Sequence, residues 1–159
     1  MATEKQVKQA QQTYETICAM LDEMGWSYDK KDEERVIYTG VKSNDLPISF
    51  MIVTDTERSL VSLISKLPFT VPEDKRTEVS LGVSIVNYLL VDGSFDYNFL
   101  EGTTYFRMTS SFKDSMLSKE VFEYMVYVSC NTIDDYNEKL FLLSENQLTL
   151  EEFLKLFNN

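Results

Sequence analysis

Apolar or small residues recur three and four positions apart at Val7, Ala10, Tyr14, Ile17, Leu21 and Met24, which is one face of a helix. Thr3 and Gln6 open it as a capping box, and Gly25 closes it where a left-handed cap favours glycine. Segments 26–30 and 35–41 are rich in aromatic and β-branched residues and read as strands separated by a charged turn. Segments 46–54 and 58–65 read as two more strands around Asp55-Thr-Glu, or as one long hairpin. Leu67-Pro-Phe-Thr-Val-Pro breaks the sheet pattern, because each proline removes a donor. A second helix follows to about Leu90, with Val79, Val83, Val86 and Leu90 on one face.

Beyond the Asp92-Gly93 turn, Val91, Phe95, Tyr97 and Phe99 alternate with polar residues, the period of a strand with one buried face. Glu101-Gly102 turns it into a partner strand over 103–110 that alternates less cleanly, with Thr104, Phe106 and Met108 opposite Tyr105, Arg107 and Thr109. Ser118 caps a long helix carrying Val121, Met125, Val128, Tyr136 and Leu140, and Thr149 with Glu152 opens a short final one. The pattern predicts an α+β domain over residues 1–159, in the order α-β-β-β-α-β-β-α. Hairpin-length connections make its five- to six-stranded sheet antiparallel, with three main helices packed on it.

Charge narrows the function. The 159 residues carry 26 acidic and 15 basic side chains, a net charge of −11. The basic ones are scattered, so a phosphate backbone is repelled and nucleic acid is not the expected partner. No apolar run approaches the ~20 residues of a membrane-spanning helix. The polar N-terminus shows no signal peptide, which predicts a cytoplasmic protein. Cys18 and Cys130 lie outside any C-x-x-C spacing and read as reduced, largely buried thiols.

Histidine is absent, which removes the commonest general base, the commonest metal ligand and every Ser-His or Cys-His mechanism. No catalytic, cofactor-binding or metal-ligating residue stands out. The stretch Asp92-Gly-Ser-Phe-Asp-Tyr-Asn misses the calcium-loop spacing, and no glycine-rich phosphate loop exists. Asp134, Asp135 and Glu138 read as a solvated helix face. Trp26, directly after a helix cap, reads as a core anchor.

The early strands are apolar on both faces: Ile48, Phe50 and Ile52 alternate with Met51 and Val53, and Leu60 and Ile64 with Val61 and Leu63. Either helices cover both sides, or one side is an exposed patch of the kind that marks homodimer and partner surfaces. Ile48, Phe50, Ile52, Leu60 and Ile64 are therefore the candidate partner or dimer surface.

The run Leu67-Pro-Phe-Thr-Val-Pro-Glu-Asp-Lys-Arg, a helix ending in Asn87, Asp92-Gly-Ser-Phe-Asp-Tyr and the hairpin to Thr104-Tyr-Phe-Arg resemble the YbjN domain family. The motif covers about 67–107; Trp26 and the element order agree with it. The resemblance implies a fold like that of type III secretion chaperones, and a bacterial cytoplasmic protein of the kind labelled a sensory transduction regulator. It brings no catalytic residues. The chaperones of similar fold are small, acidic, usually dimeric proteins that hold segments of client proteins. Asn87 and Gly93 take structural roles in this reading, one bonding free carbonyls at the helix end and the other permitting a turn. The function expected is a non-enzymatic protein-binding module, chaperone-like or regulatory. The alternatives are a small-molecule pocket near Phe50, Tyr97 and Phe106 and, last, a hydrolase using carboxylates alone.

Overall fold

A computed structural model describes residues 1–157. Helix α1 (Glu4–Glu23) begins with the Thr3/Gln6 capping box and ends at Gly25, whose φ of +70° is the left-handed conformation glycine adopts without steric cost. Strands β1 (Tyr28–Lys31), β2 (Val36–Val41), β3 (Ile48–Asp55) and β4 (Leu60–Thr70) follow, then a 3-10 turn (Glu73–Lys75) and helix α2 (Arg76–Leu89). Strands β5 (Ser94–Asn98) and β6 (Thr103–Ser111), the long helix α3 (Lys119–Ser144) and the short α4 (Leu150–Lys155) complete the chain. The fold is α+β, with one fully antiparallel sheet in the order β1-β2-β3-β4-β6-β5.

Register decides which residues share a face. Ile37 stands opposite Ile52, Ile52 opposite Leu63, and Leu63 opposite Met108, so these side chains point the same way across four strands. All four are buried, together with Phe95 and Phe106. The helices pack on this face. Helix α3 contributes Phe122, Met125, Val126, Ile133, Leu140 and Leu143, while α1 adds Ile17 and Leu21 and α2 adds Val79, Val83 and Val86. Full burial of each such side chain is worth about 1.5–3 kcal/mol, which makes this one contiguous core the main source of stability. A Cβ on Gly82 would come 2.6 Å from Leu143, so α2 and α3 meet at a position that leaves no room for a side chain.

Two expectations are corrected by this packing. The proline-containing run 67–72 does not end the sheet: β4 continues through Pro68 to Thr70. The β3–β4 ladder reaches only Met51↔Ile64, and the β4–β6 register shifts between Lys66 and Thr70, so Pro68 sits where no donor is required. Val91 and Phe99, expected in the strand with Phe95 and Tyr97, lie outside β5 and are exposed.

The Asn87 side chain, expected to bond free carbonyls at its own helix end, bonds strand β5 instead. Its Nδ2 donates to the Phe95 carbonyl and its Oδ1 accepts from the Phe95 N–H, both at 2.8 Å. Strand β5 is the last in the sheet, so the Asn87 amide takes the place of a neighbouring strand at Phe95. Gly93 turns the chain between them at φ +72°, and a Cβ there would stand 2.4 Å from the Phe106 ring. Asn87→Ala leaves two half-buried backbone groups unpaired and is expected to cost about 1–3 kcal/mol. Urea denaturation checks this, and an unchanged midpoint would show that the clamp contributes nothing.

Candidate functional site

The face of the sheet away from the helices carries the side chains that alternate with the core. Tyr38 lies opposite Met51, Met51 opposite Ile64, and Ile64 opposite Arg107, a row that crosses four strands. Val53, next on β3, faces Ser62, and Asp55 faces Leu60. Met51, Val53, Leu60 and Ile64 are half-buried by one another, and Tyr38 is 40% exposed. The strip is thus apolar along its middle.

Polar and charged groups rim it. Arg107 Nε donates to Asp96 Oδ2 at 2.8 Å, and the Ser62 and Thr109 hydroxyls meet at 3.2 Å. Lys66 Nζ lies 6.0 Å from the Tyr105 ring centre and Lys31 Nζ 5.8 Å from that of Tyr38, distances at which a cation is attracted to a ring face. Between Tyr38, Met51, Ile64, Lys66 and Tyr105 the surface dips into a hollow of about 240 Å³. An apolar centre inside a polar rim is the anatomy of a protein interface.

The structure divides the residues expected on the partner surface. Leu60 and Ile64 lie on the open face, but Ile48, Phe50 and Ile52 are 3%, 3% and 1% exposed and point under the helices. This corrects the expectation: β3 is apolar on both faces, and the outward members of the pattern are Met51 and Val53. Of the three rings expected to line a pocket, Phe50 and Phe106 are packed away and Tyr97 is half-buried against the core. Phe106 makes an edge-on contact with Phe95 at 5.1 Å, and both Phe50 and Phe106 are core residues that fill the space between sheet and helices. Trp26 packs partly buried against the core and, with Val41, Ile48, Cys130 and Asp134, lines a hollow of about 400 Å³ beside α3.

Titratable groups add constraints on chemistry. Among the described residues four carboxylates are held below their usual range: Asp32 by Lys30 and Tyr14, Asp114 by Lys5, Glu120 and Glu152 by helix N-terminal hydrogen bonds. A general acid at neutral pH needs the opposite shift. Burial pushes the Cys130 thiol up to about 11, with the Asp134 carboxylate adding to the effect, and burial also raises Cys18. Among the described residues no cluster of Cys, Asp or Glu is arranged to hold a metal ion, and no helix is long and apolar enough to cross a membrane.

Residues 13–142 match the model of the YbjN family, described as "Putative bacterial sensory transduction regulator". The chain belongs to the YbjN family. Among solved structures it is similar to YbjN from E. coli, described as a putative transcription regulator, with a TM-score of 0.61 and 14% identity over 85% of this chain and 93% of that one. It is also similar to a chain of the ExsC-ExsE complex, with a TM-score of 0.49 and 16% identity over 83% of this chain and 91% of that one. No curated protein sequence matches it significantly. At these identities the likeness to YbjN is one of fold, and the surfaces described above are this YbjN-family chain's own.

The Cys130 thiol predicts a pH dependence. A thiol whose affinity rises from 9.0 unfolded to about 11 folded contributes stability that is complete below pH 9 and is lost as pH climbs towards 11. Urea midpoints measured across that interval are expected to fall more steeply for the wild type than for Cys130→Ala. Parallel slopes would show that the thiol is not protected by burial.

Proposed function

We propose that the chain is a non-enzymatic protein-binding module, chaperone-like or regulatory, acting as one domain in the bacterial cytoplasm. Its contact surface in this reading is the open face of the sheet. The supporting observation is the apolar strip Tyr38, Met51, Val53, Leu60 and Ile64, which none of the described helices covers while a polar rim surrounds it. Family membership supports the regulatory side of the reading, because the description attached to the family is that of a regulator. Physical chemistry supports the binding side: removing such a strip from water is worth about 25 cal/mol per Å², and a segment docked there also gains ordered partners in Lys66, Tyr105 and Arg107.

The occupant in this proposal is a segment of a different protein. A second copy of the chain would bring another net charge of −11 against the first, a long-range repulsion that a standard-sized interface must overcome. A chain with a photo-reactive side chain at Ile64 is expected to give a discrete adduct in cells, and Met51→Glu in the same chain to abolish it. Both positions are outside the core, so Met51→Glu should leave the thermal midpoint within a few degrees. An adduct of twice the chain's own mass would replace the foreign partner by a homodimer. No adduct, or one indifferent to Met51→Glu, would remove the open face as the contact surface.

A further inference from the structure

A second surface, on the helical side, differs in chemistry from the sheet. Helix α3 carries Glu120, Glu123, Tyr124 and Tyr127 at spacings of three and four, so they form one stripe along its first turns, and all four are exposed. Tyr124 is 50% and Tyr127 68% exposed, which is unusual for large side chains on a helix whose opposite face is core. The Tyr124 hydroxyl donates to Asp92 Oδ2 at 3.2 Å and thereby joins the stripe to the turn after α2. On that turn Val91 is fully exposed, and Tyr88, in the last turn of α2, is 89% exposed. The surface is aromatic, apolar and acidic at once.

Its one flanking cation, Lys119 at the start of α3, is paired with Glu23. No Lys or Arg occurs between Arg76 and Arg107, or between Lys119 and Lys139, the two stretches that build this face. Elsewhere the acidic surface is laced with ion pairs, such as Lys5–Asp114, Lys30–Asp32 and Lys155–Glu151. Among the described residues Asp92, Glu120 and Glu123 enter none. The sheet face, by contrast, balances its carboxylates with Lys31, Lys66 and Arg107.

We propose that the junction of α2 and the first half of α3 docks a basic segment of a partner protein, one in which lysine or arginine alternates with aliphatic residues. Carboxylates at Asp92, Glu120 and Glu123 pair with its cations, and the exposed rings take both cation–π contacts and aliphatic packing. Tyrosine suits this task because its ring is a large rigid contact with little rotamer entropy to lose. The proposal rests on the reading of the chain as a protein-binding module, but not on the sheet face as its contact surface.

The test uses the full-length chain and synthetic fluorescent peptides read by anisotropy. The peptides are a Lys/Leu-alternating one, its Glu/Leu counterpart, and an oligolysine of equal charge. The Lys/Leu peptide is expected to bind, to weaken as salt rises from about 50 to 300 mM, and to outbind oligolysine. Tyr124→Ala with Tyr127→Ala is expected to weaken it about ten-fold. Glu120→Gln with Glu123→Gln should weaken it more than Glu33→Gln with Glu34→Gln, which removes the same charge at the β1–β2 turn. These residues are exposed, so circular dichroism should show every variant folded. Equal binding of oligolysine, or equal loss in the two glutamate pairs, would reduce the effect to net charge and overturn the proposal. Loss on Met51→Glu with none on the tyrosine pair would move the peptide to the sheet, sinking this proposal while sparing the functional reading. Failure of the Ile64 adduct with retention of the peptide effect would remove the open sheet face as the contact surface and leave this proposal standing.

Discussion

Helix α3 lying across one face of the six-stranded sheet is the contact on which the other features depend. Its buried stripe from Phe122 to Leu143 meets side chains from β3, β4 and β6, and α1 and α2 settle on either side of it. Hairpins join β1 to β4 in series and β5 to β6, and the one longer connection, β4 to β5, runs through α2 on the same side as α1 and α3, so the described helices layer on one face. Everything at the core follows the parity this sets. Residues in phase with Leu63 are inside, and residues in phase with Ile64 are outside.

That parity is also where the sequence stops being sufficient. The capping boxes at Thr3 and Thr149 and the glycine after α1 are readable from spacing alone, because each depends on neighbours within a few residues. Strand β3 is not. Its residues Ile-Ser-Phe-Met-Ile-Val are apolar in both phases, so a period of two gives no sign, and the expectation for Ile48, Phe50 and Ile52 falls on the wrong face. Strand β6 carries the missing information, but it reaches β3 only through the register Met108–Leu63–Ile52, which is tertiary. Helix α3 shows the same ambiguity. With Val121, Phe122, Tyr124, Val126, Tyr127 and Val128 spread round its circumference, apolar spacing fits several stripes, and the one observed leaves both tyrosines in solvent.

The two candidate surfaces divide the labour that a single patch would have to perform. The sheet offers area and a neutral charge balance, whereas the α2–α3 junction offers field and aromatic rings. A partner touching the first is held mainly by dehydration, and one touching the second is steered from a distance and released by salt. Because they lie on opposite sides of the sheet, occupation of one leaves the other free.

The amide of Asn87 carries a consequence for how chains can accumulate. It occupies Phe95, the place at which an incoming strand would begin to pair with β5, while the opposite border of the sheet is the short, charged β1. A ribbon that lengthens by adding strands needs both borders available, since each new unit must receive one neighbour and offer a site to the next. The outward N–H and C=O of Phe95 are satisfied from within the fold by a side chain eight residues earlier, so lateral association through β5 starts with one pairing position fewer than an open edge would offer.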